Sequence, residues 1–230
     1  GSIINMIAGN LSIMLGAKGP NLAIVTACTT ATHCIGEAAK MIRYGEAEVM
    51  IAGGSEAPLA PLCFGAFSII RAMSTRNDDP AHASRPFDAG RDGFVMAEGA
   101  AVLILEERGR ALARGAPVYA EICGFGLTND AHHMTAPRPD GRQAARAIRI
   151  ALSEAHVEPR EIGYINAHGS STPLNDPTEN GSIKQVFGDH AGRLALSGTK
   201  GYFGHALGAS GAIEAAICAL ASRRGWVPPT

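Results

Sequence analysis

The amino-acid sequence predicts an α/β fold with largely parallel strands. Short apolar runs at 22–27, 48–52, 100–105, 118–125, 162–167 and 194–196 are separated by stretches in which apolar residues recur at helical spacing. The runs are mostly continuous and several are β-branched, as strands buried on both faces are. Strands that alternate with helices place the latter on the faces of a mostly parallel sheet.

Residues 2–16 read as a helix with Ile3, Met6, Ile7 and Leu11 on its inward face, and no strand precedes it to pack on. The run 22–27 reads as a buried strand. From Thr29 the spacing turns helical, with Ile35, Ala38, Ala39 and Ile42 on one face and a stop at Gly45. A second strand at 48–52 ends in Gly53-Gly54; 58–73 is apolar and mixed, and 74–91 is loop. The third strand, 100–105, leads to a short charged helix at 107–114. The fourth, 118–125, leads to a loop holding His132 and His133. Residues 141–156 form an amphipathic helix with Ala144, Ile148, Ala151 and Leu152 on one side. The strand 162–167, the helix 176–187, the brief strand 194–196 and a helix at 208–223 complete the chain. A strand, a reactive residue and a small-residue helix occur in succession near Cys28 and again near Lys200–His205, a pattern compatible with internal duplication.

Bulk composition narrows the function. The 230 residues carry a formal net charge of −1 and no run of like charge, so nucleic-acid binding and membrane-surface binding have no support. No apolar stretch is long and clean enough to span a bilayer. The five cysteines (Cys28, Cys34, Cys63, Cys123, Cys218) are odd in number and lack CxxC spacing. That pattern points to a reducing, cytoplasmic compartment and away from a disulfide scaffold or a zinc site.

The residues able to do chemistry stand at strand ends, where open α/β sheets gather their ligands. Cys28 lies where a strand turns into a helix, and unpaired backbone N–H groups there favour a thiolate and lower the thiol pKa. A free cysteine is also commonly a small buried hydrophobe, so that segment alone leaves both readings open. His168 follows the strand 162–167, and Lys200 and His205 follow 194–196. One histidine would fit cysteine hydrolysis, but the papain-like and caspase-like signatures are missing. Two imidazole N–H donors can converge on one carbonyl oxygen and hold the charge of an enolate.

Thr26-Ala-Cys28, His168-Gly-Ser-Ser-Thr-Pro173 and Thr199-Lys200 through Gly204-His205 resemble the three catalytic blocks of the β-ketoacyl-acyl-carrier-protein synthases, nearest to the elongating type II branch. Ala52-Gly-Gly-Ser-Glu56, Ser84-Arg-Pro-Phe-Asp88, Arg91-Asp-Gly-Phe94 and His133-Met-Thr-Ala-Pro137 extend the resemblance over essentially the whole chain. It implies a thiolase-like fold layered α-β-α-β-α, here without the family's N-terminal and C-terminal strands. Residues 1–106 would come from the cysteine-bearing half and 117–230 from the half bearing the histidines and lysine. It further implies decarboxylative condensation of a Cys28-bound acyl group with malonyl-acyl carrier protein. His168 and His205 would polarise the malonyl thioester, and Lys200 would act electrostatically beside His168.

By the same resemblance Thr172, Ser170 and Thr135 contact pantetheine, Phe67 lines the acyl pocket and Arg71 meets acidic carrier protein. Asn166 and Glu214 match positions around a structural cation in some relatives. No bound cofactor is implied, because 4'-phosphopantetheine arrives on the carrier protein. The expected assembly is a homodimer, and the expected location is the cytoplasm or an organellar matrix.

This chain departs from the family pattern in having serine at Ser170, Thr29-Thr30 after the cysteine and Tyr202-Phe203 after the lysine. Family members also run on to a Gly-Phe-Gly-rich loop that supplies a second oxyanion N–H, so little condensing activity is expected of these 230 residues alone. The ketosynthase of a dissociated polyketide pathway accepts the same chemistry. The competing class is a non-catalytic protein: a partner subunit, against which Cys28 argues, or a truncated pseudo-enzyme retained to bind acyl carrier protein. A thiolase fits less well, since Lys200 and paired histidines suit decarboxylation.

Overall fold

The computed structural model describes residues 3–230; Gly1 and Ser2, the latter the expected start of the first helix, lie outside the described residues. The elements run α1 (Met6–Leu15), α2 (Thr30–Arg43), β1 (Val49–Glu56), α3 (Pro61–Ile70), β2 (Gly99–Glu106), α4 (Arg108–Ala113), α5 (Arg142–Ala155), β3 (Tyr164–Asn166), α6 (Asn175–Phe187), β4 (Ala195–Ser197), α7 (Lys200–Phe203) and α8 (Ser210–Arg224). Mixed α/β architecture is as expected, but the strand directions are only half so. β3 and β4 pair in parallel, whereas β1 and β2 pair antiparallel in register from Val49 opposite Glu106 to Glu56 opposite Gly99. Parallel pairing needs a crossover that returns the chain to the same end of the sheet. The excursion between β1 and β2 instead leaves and re-enters at one end, so the second strand runs back along the first.

Two expected strands do not form. Residues 21–26 and 117–125 make no ladder, because a segment becomes a strand only where a neighbour takes up its N–H and C=O groups. Leu22 is 56% exposed, so the expectation of burial fails there. The second segment lies against α5 through glycine: a Cβ on Gly126 would stand 1.8 Å from the Ala147 carbonyl oxygen, and one on Gly124 would stand 2.1 Å from that of Ala151. The Phe125 N–H donates to the Glu154 carboxylate at 2.8 Å and fixes the segment there. Met6, Ile7 and Leu11 of α1, and Ile3 ahead of it, are exposed rather than inward.

The core beside the candidate site is built from small residues. Ala31, Ile35 and Ala38 of α2, Ala52 of β1 and Ala212 of α8 form one buried cluster. Each contributes little apolar area, so the gain comes from close approach of backbones rather than from large side chains. Gly211 shows how close: a Cβ there would stand 2.1 Å from Thr32 Oγ1 and 2.7 Å from the Thr32 nitrogen. Ala or Gly at these positions lets α2 and α8 cross almost in contact, which brings the start of each helix to the same place.

A loop from the β1–β2 excursion ties the two sheets together. Ser84 Oγ donates to the Lys200 carbonyl (2.6 Å), the Arg85 N–H to Ser171 Oγ (3.1 Å), the Phe87 N–H to the buried Asp176 carboxylate (2.8 Å) and Arg91 Nε to the Thr172 carbonyl (3.1 Å). Pro86 wedges between the loops that follow β3 and β4, and a Cβ on Gly198 would meet its Cβ at 2.6 Å.

Candidate active site

Cys28 sits in a single 3-10 turn, Ala27–Thr29, that opens into α2. Ala27 holds φ +53°, a left-handed conformation unusual for a residue with a Cβ and costing on the order of 1–3 kcal/mol unless the surroundings over-determine it. The two threonines that depart from the family pattern brace this turn. Thr30 Oγ1 accepts the Thr26 N–H at 2.9 Å, and Thr29 Oγ1 donates to the Thr26 carbonyl at 2.8 Å. Burial pushes the Cys28 thiol up; the Lys200 charge and the residue's own backbone N–H pull it down by less. The expectation of a lowered thiol pKa is thus corrected. A turn of helix offers partial charge, but taking a thiolate out of water costs more.

His205 is placed by a bridge beside Met96, in which its N–H donates to the Val95 carbonyl at 2.7 Å and its carbonyl accepts from Ala97 at 3.0 Å. Its Nε2 lies 3.1 Å from Cys28 Sγ. Its Nδ1 lies 3.2 Å from the Leu207 nitrogen and 3.0 Å from Ser210 Oγ. A backbone N–H can only donate, so Nδ1 is the acceptor and the ring proton is on Nε2, directed at the sulfur. Burial and the nearby Lys200 charge lower the His205 pKa to about 3, so the ring is neutral.

His168 follows β3 and is tied down by its backbone. Its N–H and that of Gly169 donate to the Glu179 carboxylate at 2.6 and 2.9 Å. Lys200, 1% exposed, donates to the His168 carbonyl at 2.6 Å, pairs with Glu214 and comes within 3.5 Å of His168 Nδ1. The ammonium cannot accept, so His168 too carries its proton on Nε2. Burial first, then the Lys200 charge and His205, hold His168 well below the ordinary imidazole range. The two rings meet edge to face with centroids 5.1 Å apart.

Cys28, His168 and His205 therefore converge, with one ligand-capable atom of each within 4.8 Å of the others. Among the described residues this is the one such group of His, Cys, Asp and Glu. A metal there would need both Nε2 atoms unprotonated, and each proton would then move to an Nδ1 that already faces a donor. The buried Lys200 ammonium repels a cation as well. The arrangement favours two N–H donors beside a thiol over a metal centre.

The remaining expected residues divide. Phe67 and Cys28 each pack against the buried cluster of Phe94, Met96 and Leu207; the Phe67 ring meets Phe94 edge on at 5.8 Å, which in turn meets His205 at 5.4 Å. Thr172 and Ser170 share a hydroxyl contact of 2.9 Å, and Thr172 Oγ1 accepts the Asn175 N–H. Ser170 is buried, with its second contact to Asp176 at 3.4 Å. Thr135 is exposed and its N–H donates to His133 Nδ1. Arg71 is exposed at the end of α3 with φ +56°.

Asn166 and Glu214 do not form a cation cage. Glu214 is committed to Lys200, whose charge would oppose a second cation. Asn166 takes the Thr199 hydroxyl on Oδ1 at 3.3 Å and leaves its Nδ2 buried without a partner, a donor where a cation needs oxygen.

Glu179, Asp176 and Ser210 were given no role in the sequence reading, and Phe94 entered it only as part of the Arg91-Asp-Gly-Phe94 block. Asp176 and Glu179, three apart at the head of α6, could have been noticed as an acidic face turned toward the loop after β3. Ser210 carries no such signal: His205 is only five residues away, but nothing in the local sequence says that the turn between them aims the hydroxyl at the ring.

A mixed α/β scaffold that brings a cysteine and two neutral imidazoles together is that of the thiolase-like condensing enzymes. The family described as beta-ketoacyl synthase, N-terminal domain, matches residues 1–111, and its C-terminal domain counterpart matches 119–230. The chain belongs to the β-ketoacyl synthase family. It is 53% identical to 3-oxoacyl-[acyl-carrier-protein] synthase 2 of Coxiella burnetii over 230 residues, all of this chain and 56% of that one. It is 54% identical to the protein of the same name from Synechocystis over 228 residues, 99% of this chain and 55% of that one. The chain thus spans little more than half the length of these relatives. Among solved structures, a type II PKS acyl-carrier protein in complex with its ketosynthase superposes with TM-score 0.96 at 41% identity, covering 98% of this chain and 56% of that one. A beta-ketoacyl synthase from Burkholderia phymatum superposes with TM-score 0.90 at 41% identity, covering 96% and 52%.

Proposed function

We propose that the chain carries the condensing site of a 3-oxoacyl-acyl-carrier-protein synthase of fatty-acid elongation. The observation that carries this reading is the pair of neutral imidazoles, His168 and His205, each with its proton on Nε2 beside the Cys28 thiol. Cys28 sulfur attacks the acyl thioester delivered by carrier protein; the carrier's thiolate leaves and takes up the cysteine proton. Malonyl-carrier protein then binds, and its carboxylate departs as carbon dioxide. The electron pair left behind forms an enolate, whose oxygen accepts hydrogen bonds from the two Nε2–H groups. The enolate carbon attacks the acyl-cysteine carbonyl, a new carbon–carbon bond forms, and Cys28 leaves as a thiolate. Lys200 raises the positive potential around that charge and, with Glu214, holds the His168 loop in place.

The pantetheine arm arrives with the carrier protein, so no resident cofactor enters the scheme; Thr172, Ser170 and Thr135 would guide the arm, Phe67 the acyl chain and Arg71 the carrier's acidic surface. The carrier protein in the ketosynthase complex noted above supports this partner. A homodimer in the cytoplasm or an organellar matrix completes the proposal. The polyketide version of the chemistry has that same neighbour in its favour, at 41% identity against 53–54% for the fatty-acid enzymes. A longer protein that contains this chain, purified and given acyl- and malonyl-carrier protein, should form acyl-Cys28, detected by mass spectrometry, and release carbon dioxide; the 230 residues alone should condense little. Replacing either histidine by alanine should lower carbon dioxide release about a hundred- to a thousand-fold while leaving Cys28 acylation measurable. Decarboxylation indifferent to both histidines would overturn the reading, and product analysis separates the two pathways.

A further inference from the structure

We infer that Ser210 is a positioning residue that sets the hydrogen-bonding state of His205 by donating its hydroxyl proton to Nδ1. This deepens the proposed function and rests on it for its catalytic meaning, though not for its geometry.

Ser210 is the first residue of α8 and is completely buried. Its Oγ has one hydrogen-bond partner among the described residues, His205 Nδ1 at 3.0 Å. A buried hydroxyl left without an acceptor is costly, so its proton has to go somewhere. The reverse arrangement, with Nδ1–H donating to Oγ, is closed off by the Leu207 N–H, which points at the same nitrogen from 3.2 Å. Two N–H groups cannot face each other across that gap. Both donors therefore share Nδ1, and the imidazole proton stays on Nε2, 3.1 Å from Cys28 Sγ.

Leu207 reaches this position only by adopting φ +40°, and the turn Leu207–Ala209 runs directly into α8. The backbone donor and the serine donor thus belong to one rigid unit anchored by the close α2–α8 crossing. A donor on Nδ1 draws electron density across the ring and makes Nε2–H a stronger donor, since hydrogen bonds in a chain polarise one another. The same polarisation favours the Cys28 thiolate over the thiol.

The test compares Ser210→Ala, His205→Ala and the double variant with the parent protein. Alkylation of Cys28 by iodoacetamide, followed by mass spectrometry, should slow about threefold to tenfold in Ser210→Ala, the scale of one neutral hydrogen bond. In the His205→Ala background the same serine change should have no effect, because the hydroxyl acts only through the ring. Nitrogen NMR of histidine-labelled protein supplies a second readout. In the parent, His205 Nδ1 should resonate as a hydrogen-bonded acceptor and Nε2 as a protonated nitrogen, and Ser210→Ala should shift Nδ1 toward the free-acceptor position.

An unshifted Nδ1, or an equal alkylation loss with and without His205, would overturn the assignment and make Ser210 a packing residue. Neither readout requires turnover. Should a longer protein that contains this chain fail to condense acyl groups, the proposed function falls while the Ser210 hydrogen bond is still decided.

Discussion

His205 shows how far single residues depend on their surroundings. In the folded chain its pKa lies near 3, against 6.5 unperturbed. Between those values the unfolded chain binds a proton that the native state does not, so stability rises with pH across this window and is fully present above about 6.5. Acidification from pH 6.5 to 4 should therefore lower the urea midpoint. His168 is shifted in the same direction, while Glu179 and Glu214, pushed up by burial, oppose it. The variant His205→Gln isolates one part: its midpoint should fall less steeply over that window, by on the order of a few kcal/mol at the acid end. Equal slopes in parent and variant would show that His205 titrates normally. Cys28 itself stood out as a candidate nucleophile only in company, and its resting state as a thiol follows from burial that no local motif announces.

At the scale of elements, the site depends on how closely α2 and α8 cross. Cys28 is carried at the head of one helix and the His205–Ser210 unit at the head of the other. Gly211→Ala puts a methyl group into the space held by Thr32, so the helices must separate. Overpacking of this kind should cost about 1–3 kcal/mol, read as a lower denaturation midpoint, and should widen the gap between Cys28 Sγ and His205 Nε2, read as slower Cys28 alkylation. An unchanged midpoint would mean that the crossing is looser than it looks. Helices α2, α4, α5, α6 and α8 were legible from spacing and caps. Gly141 and His156 bracket α5 in left-handed conformations, and the Glu107 carboxylate takes the Gly109 and Arg110 N–H groups at the start of α4. The strands at 22–27 and 118–125 were misread for one reason. Apolar, β-branched composition states that a segment will be extended; only a neighbouring strand turns extension into a ladder.

Over the whole molecule, apolar side chains lie exposed on α1 (Ile7, Ile13, Met14), on α3 (Leu62, Ile69) and on β2 (Val102, Ile104). Patches on this scale mark surfaces that are covered in use. The 230-residue chain should therefore sediment as associated species, bind a hydrophobic dye, and lose both properties in mild detergent. A monodisperse, dye-negative monomer would contradict this. No helix among the described residues is long and apolar enough to cross a membrane, so the exposed apolar faces are not read as bilayer spans.

Sequence alone determined which reactive residues this protein has and the order in which they come: a cysteine before a helix, a histidine after a strand, then a lysine and a second histidine after another. Those features are local, set by residue type and by the period of the apolar pattern. Tertiary structure decided what state the residues are in. The neutral rings and the approach of Lys200 to His168 arise from contacts between segments far apart in the chain. The Leu207 and Ser210 donors lie close to His205 in sequence, but only the folded turn aims them at its ring. Burial and the position of a neighbouring charge set a protonation state, and neither exists until the chain has folded.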